Sequence, residues 1–221
     1  MIREDSQAGR FITFEGIDGC GKTTVIRFVE QHLRQRQIPV LVTREPGGTT
    51  VGNEIRQVLL KVSDRAVTPK TELLLYAADR AQHVYERILP ALREGRVVLC
   101  DRYTDATRAY QGYGRGFDLA WIESLMEFAT GGLKPDLTIL LDVDVAVARQ
   151  RLQGRRERVG SASHDRLDAE DIQFHERVRQ AYLELARQEP DRIKVVSAAG
   201  TPQQSCQAAL EWVLRLLGLQ Q

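Results

Sequence analysis

The chain predicts an α/β fold, a five-stranded parallel sheet with helices on both faces. Three observations carry this. Apolar runs rich in β-branched residues alternate with helical stripes. A glycine-rich loop joins the first strand to the first helix. The 221 residues can bury one full core, and no Pro/Gly/Ser-rich linker divides them. One domain spanning 1–221 is expected.

The first strand, 11–14, passes through Glu15 into Gly16, Ile17, Asp18, Gly19, Cys20, Gly21, Lys22 and Thr23, which fit Gly-x4-Gly-Lys-Ser/Thr. Val25, Val29 and Leu33 then recur on one helical stripe, so the loop stands between strand and helix. The glycines let successive backbone N–H groups point inward, Lys22 reaches outer phosphates, and the Thr23 hydroxyl suits Mg²⁺. Thr24 joins the same donor set, and the helix N-terminus adds positive potential. This end of the chain is expected to grip nucleotide phosphates.

The remaining elements follow in order. Strand 40–43 leads into Arg44, Glu45, Pro46, Gly47, Gly48 and Thr49, then helices 50–60 and 71–92. Strand 97–100 ends in Asp101, Arg102 and Tyr103 and precedes helix 118–128. Strand 137–143 closes on Asp142, Val143 and Asp144, before helices 145–158 and 169–187, strand 193–196 and helix 205–217. The distinctive polar residues sit just past the carboxyl ends of four strands, where an open parallel sheet places its binding crevice.

Lys plus Arg total 31 against 30 Asp plus Glu, so no overall basic field favours nucleic acid or an anionic membrane. No apolar run is long enough to span a bilayer, and the acidic start lacks a signal-peptide core, so a cytoplasmic location is expected. Cys20, Cys100 and Cys206 are too far apart for a metal knuckle and odd in number, and are expected to be reduced.

Taken together, Phe-x-Glu-Gly-x-Asp-Gly-x-Gly-Lys-Thr-Thr, the run TREPGGT from Thr43 to Thr49, Tyr76-Ala77-Ala78-Asp79-Arg80, Asp101-Arg102-Tyr103 and PDLTILLD from Pro135 to Asp142 resemble the thymidylate kinase family across nearly the whole chain. The resemblance implies a P-loop kinase three-layer sandwich with a mobile lid at roughly 149–165. It also implies transfer of the ATP γ-phosphoryl group to dTMP with Mg²⁺, and a homodimer packed through helices.

It further implies roles. Arg102 clamps the acceptor phosphate, its fork suiting bidentate contact. Asp101 orients the magnesium shell or holds neighbouring donors, or is simply a capping acid. Tyr76, where phenylalanine is usual, stacks on thymine, and Arg80 contacts a base carbonyl. Gln111 reads the polar edge of the base with Thr107 beside it, and Tyr110 crowds the 2′ side of the sugar. Arg56 is a second phosphate-side arginine, while Glu45 and Asp18 lie near the sugar hydroxyl and the reacting phosphates. Ala106 stands where some relatives carry serine.

The phosphate loop contains no arginine, which resembles the branch whose lid supplies one. The candidates are Arg151, Arg155 and Arg156, in a segment that also reads as a solvated basic helix. Two other functions remain open on the residues: a kinase for AMP, CMP or UMP, and a GTP-dependent switch. The switch needs Asn-Lys-x-Asp to read guanine, and the single asparagine, Asn53, is followed by Glu54.

Overall fold

The computed structural model describes residues 9–61, 67–159, 167 and 170–219, with the side chains of 155, 156, 158 and 159 outside that description. Five strands form one sheet: β1 (Arg10–Glu15), β2 (Val40–Arg44), β3 (Val97–Asp101), β4 (Leu137–Asp142) and β5 (Ile193–Ser197). All pairings are parallel, in the order β2-β3-β1-β4-β5. The fold class read from the sequence is therefore observed.

Period-two alternation distributes each strand between two cores. Ile12 and Phe14 enter a cluster with Val25 and Val29 of α1 (Lys22–Gln35), Phe174 and Val178 of α8 (Ile172–Gln188) and Val213 of α9 (Pro202–Leu216). Phe11, Val98 and Cys100 point the other way, to Val84, Ile88 and Leu92. Both faces are apolar because both are covered, which made the strands legible as continuous hydrophobic runs. The connections from β1 and β3 leave these adjacent strands in opposite directions, opening a crevice at their carboxyl ends.

Helix α2 (Thr50–Leu60) is capped by the Thr49 hydroxyl, which accepts from the Gly52 N–H at 2.8 Å. The helix expected over 71–92 is interrupted. α3 (Pro69–His83) widens into a π-helical turn at Val84–Ile88 before α4 (Leu89–Arg93). Pro90 lacks an N–H and its ring crowds the carbonyl four residues back, and a wider turn relieves both.

α5 (Thr104–Thr107) and the π-helical turn Arg108–Gly114 that continues it lie outside the helices expected from the sequence. This segment packs between α6 (Leu119–Thr130) and α8. A Cβ at Gly112 would stand 2.5 Å from Leu119 Cδ2, and one at Gly114 would stand 2.8 Å from Phe174 Cε2. α7 (Val145–Val159) carries the start of the segment expected to form the lid; residues 160–166 lie outside the described residues. Among the described residues, no helix is long and apolar enough to cross a membrane, and the three cysteines are free and buried.

Candidate active site

The turn after β1 is shaped by glycine. Gly16 has φ 131°, and a Cβ there would lie 2.5 Å from the Leu141 carbonyl oxygen of the neighbouring strand. Gly21 caps α1 in a left-handed conformation without a side-chain cap, leaving the first amides of the helix facing the crevice. Lys22 is only 7% exposed, and its Nζ donates to the carbonyls of Gly16 at 3.0 Å and Ile17 at 3.3 Å. The Asp18 carboxylate lies 4.0 Å away, and Thr23 and Thr24 are exposed at the rim.

Opposite the loop, β3 ends in Asp101, and Arg102 takes φ 71°, an uncommon conformation for a side-chain-bearing residue. Its N–H donates to the Phe14 carbonyl at 3.0 Å, tying the turn to β1. Arg102 Nη2 donates to Asp18 Oδ1 at 2.7 Å and to Tyr110 Oη at 3.0 Å, with the guanidinium 4.7 Å from the Tyr110 ring centroid. Both side-chain bonds use Nη2, so Nε and Nη1 are left for an anion among the described residues. Burial opposes the charge on Asp18 most strongly. The Arg102 and Lys22 charges together outweigh it and hold the carboxyl well below the usual carboxylate range.

Asp101 Oδ1 is buried with no hydrogen-bond partner among the described residues. An unpaired buried carboxylate oxygen is costly, and a hydrated cation is a natural partner for it. The described residues contain no group of three His, Cys, Asp or Glu that would cage a metal. Mg²⁺ in phosphate sites needs none, since one or two protein oxygens, water and phosphates complete its octahedron. Thr23 and Asp101, which line the same cleft, fit that donor set.

The other end of the cleft is a buried ionic network. Arg80, 1% exposed, donates from Nε to Glu45 Oε2 at 2.7 Å, from Nη1 to Thr107 Oγ1 at 2.9 Å and to Met126 Sδ, and from Nη2 to the Tyr103 carbonyl at 2.9 Å. At most one of its five N–H groups remains for a base carbonyl. Glu45 Oε1 meets His83 Nδ1 at 2.9 Å, and His83 Nε2 meets Thr43 Oγ1 at 2.6 Å. Both Glu45 oxygens are thus engaged inside the protein. Burial opposes its charge, and Arg80 followed by His83 more than offsets that, leaving the pKa lowered.

Of the other expected residues, Tyr76 is half-buried on α3, and Arg56 donates from Nη1 to the Pro46 carbonyl at 2.9 Å. Tyr110 donates to Asp18 Oδ2 at 3.2 Å, and the Gln111 amide nitrogen donates to Glu72 Oε1 at 2.8 Å. Arg151 turns towards β5, donating to the Ala198 carbonyl at 2.9 Å. The Arg155 and Arg156 side chains lie outside the described residues. With those two aside, the cleft, about 1010 Å³, is lined by the expected residues from Asp18 to Thr24, by Glu45 and Arg56, by Tyr76 and Arg80, by Asp101 and Arg102, and by Thr107, Tyr110, Gln111 and Arg151. Gly16 and Ile17 lie behind the loop, meeting the cleft through the Lys22 contacts.

Several buried groups around this cleft were given no role from the sequence. Glu15 accepts from the Tyr103 N–H and the Tyr182 hydroxyl, both at 2.7 Å. Burial, then the Asp105 charge, pushes it up to about 8. Asp79 accepts from the Gly47 N–H at 2.8 Å and is pushed up to about 7 by burial and then by Glu45. Glu72, Asp79, Arg80 and His83 are charged or titratable residues at helical spacing, sharing α3 with the apolar Leu73 and Ala77. That mixture was the available signal.

Comparison with known proteins gives a concordant result. The family model described as thymidylate kinase matches residues 14–208. The thymidylate kinase of Geotalea uraniireducens (strain Rf4) is 50% identical over 209 residues, covering 95% of this chain and 98% of that protein. That of Geotalea daltonii is 54% identical over 189 residues, covering 85% and 88%. The crystal structure of thymidylate kinase from Ehrlichia chaffeensis is similar at TM-score 0.74 and 31% identity, covering 95% of this chain and 99% of that one.

Proposed function

The chain belongs to the thymidylate kinase family, and from that membership we propose how its cleft works. The protein phosphorylates dTMP to dTDP with ATP as phosphoryl donor, in the supply of dTTP. One observation carries the mechanism: Lys22 and Arg102 converge on the same Asp18 carboxylate, between a phosphate loop and a buried base pocket.

A phosphate monoester has a second pKa near ~6, so the acceptor arrives mostly as a dianion and needs no general base. The obstacle is repulsion between two polyanions, which preorganised cations and amides offset. In our reading the loop amides of Gly16 to Thr24 and the Lys22 ammonium hold the ATP phosphates. Lys22 exchanges the Gly16 and Ile17 carbonyls for phosphate oxygens. Arg102 turns its Nε and Nη1 to the dTMP phosphate while Asp18 keeps hold of Nη2, and Arg56 adds charge on the same side. Tyr76 stacks on thymine, Arg80 and Gln111 meet its polar edge beside Thr107, and the buried Tyr110 ring bars a 2′ hydroxyl. Glu45, on the sugar side, acts by holding Arg80 in place at the base edge. Mg²⁺, held by Thr23 and Asp101, would supply charge neutralisation between the phosphates.

In this reading the chain acts as one domain, in the branch without an arginine in its phosphate loop. The segment 149–165 serves as a lid delivering Arg151, Arg155 or Arg156 to the transferring group and excluding water. The cytoplasm is its compartment, with no nucleic acid or membrane as partner. A homodimer packed through helices is supported by large apolar side chains exposed on α3 and α6, among them Leu74, Trp121 and Phe128, the last 87% exposed.

The test is ADP release in a coupled assay with dTMP, dUMP, UMP, AMP and CMP. We expect the highest kcat/KM on dTMP, with weaker action on dUMP, since a methyl pocket contributes only about 1–3 kcal/mol. A higher kcat/KM on AMP or CMP would refute the assignment of the pocket.

A further inference from the structure

Gln111 is 2% exposed and lines the cleft, yet its amide nitrogen is committed away from the cleft, to Glu72 Oε1 at 2.8 Å. Glu72 is fully buried at the start of α3. Arg115 embraces its carboxylate, Nε to Oε1 at 3.4 Å and Nη2 to Oε2 at 3.3 Å. Arg115 is itself fixed by Glu170 at 2.6 Å and by the Phe174 ring, whose centroid is 4.7 Å from its guanidinium carbon. A carboxylate clasped by a guanidinium only accepts hydrogen bonds, so the amide facing it must turn its nitrogen inward. The Gln111 carbonyl oxygen is then the amide atom left for the cleft.

We propose that Glu72, held by Arg115, is a specificity-determining positioning residue. It fixes the Gln111 amide so that the acceptor base must bring a ring N–H donor. Thymine and uracil carry that donor at N3. Cytosine presents a lone pair at N3, which would face the Gln111 oxygen with no proton between them, and a buried polar mismatch of this kind discriminates strongly. The inference rests on the dTMP kinase reading and deepens it. The methyl pocket separates thymine from uracil, and the Glu72–Gln111 pair, beside the Arg80 donor, separates both from cytosine.

The experiment compares kcat/KM for dTMP, dUMP and dCMP in the wild type and in Glu72→Gln. A glutamine at 72 can face Gln111 with either amide atom, so Gln111 is free to turn. We expect the dCMP:dTMP ratio to rise at least tenfold while the dUMP:dTMP ratio stays within twofold, because the methyl contact is untouched. In a Gln111→Met background the same Glu72→Gln change is expected to leave dCMP:dTMP unmoved. A uniform fall on all three substrates, with unchanged ratios, is the mark of a merely structural residue and overturns the proposal. So does a ratio that still moves in the Gln111→Met background. Should Glu72→Gln fail to fold, Arg115→Gln loosens the carboxylate from outside and is expected to raise dCMP:dTMP about threefold; an unchanged ratio there overturns the proposal. A wild type inactive on all three would overturn the kinase reading and this inference with it. A wild type active on dTMP whose ratio the variants do not move overturns this inference alone.

Discussion

At the phosphate end of the cleft, Lys22 rests on two backbone carbonyls and Arg102 on one carboxylate and a tyrosine hydroxyl. At the base end, Arg80 is enclosed by Glu45, Thr107, Met126 and the Tyr103 carbonyl, and Glu45 is closed off by His83. In the proposed reading Lys22 exchanges its carbonyls for phosphate oxygens and Arg102 offers Nε and Nη1 while Asp18 keeps Nη2, so no buried charge is stranded. The second arrangement cannot be opened without stranding one. On the proposed roles, charge that must follow a reacting group is held on replaceable partners, and charge that must recognise a fixed shape is built into the core.

Removing one cation from each end separates the two arrangements most clearly. Lys22→Met should lower kcat by about 10³-fold or more, in the range of other charge-stabilising groups in phosphoryl transfer. Its melting temperature should fall much less than that of Arg80→Met, since Arg102 still holds the Asp18 carboxylate when the Lys22 charge and its carbonyl contacts are lost. Arg80→Met should instead destabilise the fold by about 3–5 kcal/mol, because Glu45 keeps a buried charge without its main partner. That corresponds to a fall in Tm of roughly 10 °C for a chain this size. Steady-state kinetics beside thermal unfolding would read both, and a Lys22→Met variant as unstable as Arg80→Met would erase the distinction.

A smaller effect concerns Glu15, which joins the ends by holding the Tyr103 N–H directly after Arg102. Its pKa is raised from 4.5 to about 8 in the folded protein. The folded state therefore binds the proton more tightly than the unfolded state. The stability this contributes is fully present below pH 4.5 and is lost as pH rises through 8. Asp79, raised to about 7, adds to the same slope. Urea unfolding between pH 5 and pH 8.5 should show stability falling with pH, and Glu15→Gln should remove on the order of 3 kcal/mol of that fall. A variant with the wild-type slope would place the proton elsewhere.

The smallest expected change is at Thr43, whose hydroxyl meets His83 Nε2 at 2.6 Å behind Glu45. Thr43→Val should cost about 1–2 kcal/mol, the usual range for a broken buried hydrogen bond, with kcat within a few-fold of wild type. Unfolding curves and turnover on the same preparation check it. A large loss of kcat would mean that the base end also moves during reaction.

The same contrast explains what the sequence made legible. The loop from Gly16 to Thr23 and Arg102 just after β3 stood out because their spacing is local and their chemistry needs those residue types. The three central strands stood out because burial on both faces leaves no polar alternation, while the partly exposed edge strands β2 and β5 stood out by their β-branched residues. Glu72, Asp79 and His83 were hidden on α3, whose pattern of leucines and alanines reads as an ordinary amphipathic helix; their partners lie 32 to 39 positions away at Glu45, Gly47 and Gln111, or further back at Thr43. The segment Thr104–Gly114 was hidden for the opposite reason. Its glycines argue against a helix locally and make sense only beside Leu119 and Phe174. Pro90 was visible, but apolar spacing does not distinguish a π-helical turn from an α-helical one.

On the proposed mechanism donor and acceptor occupy one continuous cleft, with their phosphates meeting between Lys22 and Arg102. The most direct test is inhibition by a single molecule in which adenosine and thymidine are joined through their 5′ positions by five phosphates. Competition against both ATP and dTMP is expected, with binding tighter than either nucleotide alone and much weaker in Arg102→Ala. Competition against only one of the two substrates, or binding indifferent to Arg102, would contradict it.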